Sequence, residues 1–217
     1  MILKKLLSLY KFDVKDDQLN EFAAYCFETY VGWFGPQQGP QWPYEIVFGP
    51  SNMCLRNCIL RRYEIVIMKS YETNKQKFAS IAHEMYHCVT KNRSSLIRFL
   101  WVDEMMAFVT SQRILRQRGY HDYADLRLKV AIESPDCMDI LALKKAKARK
   151  TMFQIIYPDG FAAGVNTLGA ELEKLVGWEA MTRLIQCISW KEWLYALSAD
   201  VRPPVCQLLA LSEQELG

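Results

Sequence analysis

The sequence predicts an α+β fold: a small N-terminal β-sheet, an HExxH helix behind it and a mostly helical C-terminal part. Three observations predict it. Short apolar runs punctuated by Gly and Pro fill the segment before residue 70, and helical periodicity runs almost unbroken from Asn74 onward. The composition, 51% hydrophobic and 24% charged, supplies enough apolar material for a sizeable core. With 217 residues the chain reads as one domain, 1–217, whose core lies at about 62–118 and whose helical subdomain lies at about 137–217.

The opening run, MILKKLLSLYKFDVKDD, places two lysines before a short apolar stretch. Ser8, Tyr10 and Lys11 interrupt it and no small-residue cleavage site follows, so it is not read as a signal peptide. Leu19, Phe22, Ala23, Cys26 and Tyr30 stand at helical spacing and predict an amphipathic helix over 16–31, with Asp16 and Asp17 at its favourable N-terminal end. The Gly- and Pro-dense stretch 32–43 predicts a loop, in which Trp33 and Trp42 serve either as a lid or as packing anchors. Tyr44 to Phe48 reads as a short strand closed by Gly49 and Pro50, and Tyr63 to Met68 is the clearest strand in the chain. Cys54 and Cys58 fall in a predicted loop between them, with no second Cys or His pair at zinc-finger spacing.

Helices are predicted over 75–91, over 95–118 with Gly119 as the stop, and over 137–150. A polar turn holding Tyr120, His121 and Tyr123 follows the second of these. TMFQIIY, 151–157, is either a strand or a buried helix, and the Pro158, Asp159, Gly160 turn ends it. The last third predicts helices at about 168–176, 178–188, 190–198 and 203–213, with Leu172, Leu175, Met181, Leu184, Ile185 and Ile188 as core.

Composition narrows the functional classes. A net charge of +3, from 27 basic against 24 acidic residues, is too small a bias to imply nucleic acid or an anionic membrane. The run Lys144, Lys145, Lys147, Arg149 and Lys150 is the strongest local bias, and no nucleic-acid module accompanies it. No stretch approaches the roughly 20 apolar residues that span a bilayer. Seven cysteines without a disulfide-scaffold pattern suit reduced thiols in a cytoplasmic protein.

The chemistry gathers at His83, Glu84, Met85, Tyr86 and His87, which hold two of the three histidines. On a helix residues i and i+4 share a face, so two imidazoles can grip one metal ion with the intervening Glu beside them. On the same helix Phe78, Ile81, Met85 and Val89 cluster on the opposite side, giving a core face and a histidine face. Two histidines are too few for a hydrolytic zinc, which takes three protein ligands and keeps one position open. In the next predicted helix Glu104 sits in an apolar stripe of Leu100, Trp101, Ala107, Phe108, Ser111 and Leu115. A carboxylate buried there needs a cation or strong donors, because leaving it unpaired costs several kcal/mol. Ala107 and Ser111 are small enough to let a helix approach, and Asp103 points elsewhere.

HEMYH followed by WVDEMMA resembles the gluzincin zinc peptidases, whose two helices supply HExxH and then a Glu in patterns such as WxxExxA. KFASIAHEMYH, with Glu104 followed by Ala107, is also similar to the ImmA-type peptidases and to a minigluzincin-like core, so the fold class includes a zincin-like HExxH helix. The resemblance covers about residues 62–118, roughly a quarter of the chain. Met105 stands where Gly is often found after the third ligand, and Phe108 where many gluzincins carry an Asp that orients the first histidine. The resemblance implies Zn2+ held by His83, His87 and Glu104, with Glu84 as general acid and base, and a protein or peptide as substrate. It implies that zinc lowers the pKa of water to about 7 and that Glu84 moves its proton. It also implies a strand before the HExxH helix that pairs with an extended peptide, for which Tyr63 to Met68 is either that edge or an interior strand. A donor for the tetrahedral species is sought among Tyr120, His121, Tyr123 and Tyr157, with His121 preferred as the catalytic partner of Glu84. Two other functions stay open: a non-catalytic regulatory or protein-binding module that keeps the metal site, and a helical interaction protein with a coincidental motif.

Overall fold

Asp16 caps the first helix, α1 (Asp17–Phe34), its carboxylate accepting from the backbone N–H of Gln18 and Leu19 at 3.1 and 3.2 Å. The computed structural model describes residues 16–36, 43–57, 60–90, 96, 99–150 and 155–216. The N-terminal apolar run, Trp42, Cys58 and residues 151–154 lie outside these. The helix runs into the start of the loop expected from 32–43, because Phe34 is buried with Tyr30 and Tyr86, their ring centroids about 6 Å away. Gly35 stops it at φ 84°, donating its N–H to Val31.

Three strands follow: β1 (Tyr44–Gly49), β2 (Met53–Asn57) and β3 (Arg62–Met68). Their order is β1-β3-β2, with β1 parallel and β2 antiparallel to β3. The strand read most clearly from sequence is thus interior rather than an edge, paired on both sides. Its two-faced burial explains this, since Tyr63, Ile65, Val66 and Ile67 are all buried and such a run needs neighbours. Cys54 lies in β2 and not in a loop. The register aligns Ile46, Ile65 and Cys54 across one face and Val47, Val66 and Met53 across the other. At Gly49 a Cβ would stand 2.5 Å from Val66 Cγ1, so the close of β1 requires glycine.

The HExxH helix is α2 (Asn74–Thr90). Thr73 and Gln76 form a reciprocal cap at its start. Gln76 donates its N–H to Thr73 Oγ1 at 3.3 Å, while Gln76 Oε1 accepts from the Thr73 N–H at 3.0 Å. Phe78, Ile81, Met85 and Val89 are buried, as the helical wheel requires. α1 packs along α2 through a stacked Phe22–Phe78 pair with centroids 4.3 Å apart. With the sheet these helices make the first of two units, formed by the described residues of 1–91 and 150–156.

The second unit comprises the described residues of 92–149 and 157–217. Its centre is α3 (Leu100–Gln117), buried on nearly every side from Trp101 to Leu115. The segment expected as a polar turn is instead a helix, α4 (His121–Ile132), and the helix expected over 137–150 is only α5 (Ile140–Lys145). The basic run is therefore no single helical face: Lys144 is turned inward to Ala210 and Glu215, while Arg149 and Lys150 form β4, which pairs with β5 (Ile155–Ile156).

The long helix α6 (Phe161–Arg183) packs along α3 and α4 and bends at Gly177, whose φ of 78° and ψ of 166° are not helical. Gly169 permits its closest approach to α3: a Cβ there would meet Val109 Cγ2 at 2.7 Å and Met105 Cγ at 2.9 Å. Three short helices close the unit, α7 (Trp190–Tyr195), α8 (Arg202–Leu208) and α9 (Glu213–Leu216). Trp190 of α7 stacks on Trp101, and Trp193 donates its indole N–H to the Ala180 carbonyl at 2.7 Å. Among the described residues no helix is long and apolar enough to cross a membrane.

Candidate metal centre

α2 presents its two histidines from a rigid seat. The Tyr30 hydroxyl donates to the carbonyl of Ala82 at 2.9 Å, fixing α1 to the residue immediately before His83. Tyr86 lies edge-on to Tyr30 and Phe34, and its ring meets that of His87 with centroids 5.4 Å apart. The two imidazoles are half-buried, and their Nε2 atoms stand 3.3 Å apart. Two nitrogens bonded at about 2.0–2.1 Å to one tetrahedral ion would be separated by about 3.4 Å, so this spacing suits a shared ion as well as a hydrogen bond between the two rings. Glu84 is buried between them in sequence, at 6% exposure.

Beneath this end of α2 lies a pair of thiols that the sequence reading missed. Cys54 of β2 shares the sheet face of Ile46 and Ile65, and Cys88 is buried on α2. A side-chain hydrogen bond with Cys88 pushes the Cys54 thiol well above the ordinary range. Burial and the charge of Glu84 push the same way, and His87 pulls against them. Cys54 therefore reports which strand runs beside Glu84 and His87: it is β2, an edge of the sheet.

Glu104 lies in the first turns of α3 at 9% exposure, among the buried side chains of Trp101, Val102, Met105 and Phe108. Its Oε1 accepts from the hydroxyl of Tyr157 at 2.6 Å. The Tyr157 ring is stacked on Phe161 with an interplanar angle of 7°. Ser111 donates its hydroxyl to the Phe108 carbonyl at 2.8 Å and accepts from Arg127 of α4 at 3.4 Å.

Ligand atoms of His83, His87 and Glu104 all lie within 4.8 Å of one another, a group that could hold a metal ion. Among the described residues no other group of three or more His, Cys, Asp or Glu side chains meets that condition. Two imidazoles and one carboxylate form a mixed nitrogen and oxygen donor set of the kind that divalent transition metals accept.

His121 is not brought into this group. It is exposed at the start of α4, a helix invisible in the sequence because its two buried residues are only Ala124 and Ala131. Of the four donors weighed from sequence, Tyr157 donates a hydrogen bond to a member of the group, Glu104. Its signal was the Pro158, Asp159, Gly160 turn, which fixes the chain immediately after it. Gly160 has φ 73°, and a Cβ there would collide with the Asp136 carbonyl. Comparison with protein-family models, curated proteins and solved structures returns no match.

Proposed function

We propose that the chain is a zinc-dependent metalloendopeptidase of gluzincin type, hydrolysing peptide bonds of a protein or peptide. The observation that carries this reading is the 3.3 Å separation of the His83 and His87 Nε2 atoms, with the Glu104 carboxylate in the same group. His83, His87 and Glu104 would hold the ion, whose Lewis acidity polarises a carbonyl and lowers the pKa of water to about 7.

Glu84 then acts as general base and later as general acid, taking a proton from water and passing it to the leaving amine. Its low exposure supports this role, because a carboxylate shielded from bulk water keeps the proton for the reacting amine. The extended substrate pairs with β2 rather than with β3, since β3 is already paired on both sides and Cys54 of β2 has Glu84 and His87 as neighbours.

The test compares wild type with Glu84→Gln on a broad peptide library, both loaded with zinc. The expected outcome is cleavage by wild type and a loss of at least about 100-fold in Glu84→Gln with zinc retained, the scale of a lost general base. Zinc retained with no cleavage by wild type would overturn the peptidase reading and leave a metal-bearing regulatory or binding module.

A further inference from the structure

We infer that Tyr157 is a positioning residue for Glu104, holding the carboxylate in the orientation that takes the metal ion and thereby raising metal affinity. The inference rests on the metal reading above but concerns a residue to which that reading assigns nothing.

The contact is short. At 2.6 Å the hydroxyl-to-carboxylate distance falls in the range of charge-assisted O–H···O bonds, which are roughly twice as strong as neutral ones. The donor is also held from its own side. Tyr157 stacks on Phe161 with centroids 5.0 Å apart, Phe161 is 1% exposed, and its N–H donates to the Pro158 carbonyl at 3.1 Å. The Gly160 turn locks this arrangement from behind, because only glycine fits against Asp136. A Glu side chain alone has three rotatable bonds. Anchoring one carboxylate oxygen to a fixed phenol removes most of that freedom before any ion arrives and leaves the other oxygen as an acceptor.

Outer partners of this kind typically change metal affinity by about 10–100-fold.

The experiment is a double-mutant cycle read by zinc affinity, measured in competition with a chromophoric chelator. Tyr157→Phe keeps the ring stacked on Phe161 and removes only the hydroxyl. It is expected to weaken zinc binding by about 10–100-fold, and to change it little in a Glu104→Gln background, where Gln keeps an oxygen ligand but not the charge. A merely structural role would weaken both backgrounds by the same factor. Equal loss in both, or affinity unchanged by Tyr157→Phe alone, overturns the inference. Absence of zinc binding by wild type would instead overturn the metal reading and take the inference with it.

Discussion

The hydroxyl of Tyr30 and the carbonyl of Ala82 meet at 2.9 Å, joining the first helix to the residue before His83. Both groups are buried, and the ring is packed by Trp33, Phe34 and Tyr86. Tyr30→Phe keeps the packing and removes the donor. The expected loss is about 0.5–1.5 kcal/mol of stability, measured by denaturant unfolding. A change below a few tenths would mean that packing alone seats the helix.

Gly169 is the point of closest approach between α6 and α3, against Met105 and Val109. Helix propensity favours alanine over glycine by about 1 kcal/mol. Crowding opposes it, because both neighbours lie well inside normal Cβ contact distance, and overpacking costs about 1–3 kcal/mol. Gly169→Ala should therefore leave the protein less stable, or at best equal, and a clear rise in Tm would show that the two helices have room to separate.

Much of this architecture was legible because burial and periodicity agreed. Phe78, Ile81, Met85 and Val89 define the core side of the HExxH helix in sequence and in space. Glu104 stood out as a carboxylate among apolar neighbours, and it is buried. Even the break between the helices expected at 168–176 and 178–188 has a physical counterpart in the bend at Gly177.

The misses have causes too. β2 is five residues long and its sequence, MCLRN, does not alternate apolar with polar residues, so Cys54 read as loop. α4 exposes Leu126, Val130 and Ile132 and buries only two alanines, which leaves no apolar stripe to detect. The pairing of Tyr157 with Glu104 joins residues 53 apart, beyond the reach of any local pattern.

The thiols should differ in reactivity. Cys137 is exposed, whereas the hydrogen bond with Cys88, burial and Glu84 raise the Cys54 thiol and keep it protonated. With a limiting alkylating reagent near pH 8, mass spectrometry should find Cys137 modified well before Cys54, and denaturation should abolish the difference. Equal rates in the folded protein would contradict the packing of β2 against α2.

Glu215 supplies a pH signature. Burial pushes its carboxyl up, but the Ser212 backbone, Lys144 and the Ser212 hydroxyl outweigh that, so its folded pKa lies below the ordinary value. A depressed carboxyl contributes stability above its unfolded pKa, about 4.3, and loses it as pH falls through the lower folded value. The pair with Lys144, at 2.9 Å, is partly exposed and is worth at most about 1 kcal/mol. Glu215→Gln should thus be less stable than wild type at neutral pH, with the gap closing only below the ordinary carboxylate range. A gap independent of pH would mean that Glu215 acts through packing rather than charge.

The central claim is that His83, His87 and Glu104 hold one ion. Its most direct test is the zinc content of the purified chain after loading and removal of excess, measured by elemental analysis beside His83→Ala and His87→Ala. The account predicts one zinc per wild-type chain and a fraction of that in either variant. A wild-type chain that retains no zinc, even when the metal is supplied, would contradict it.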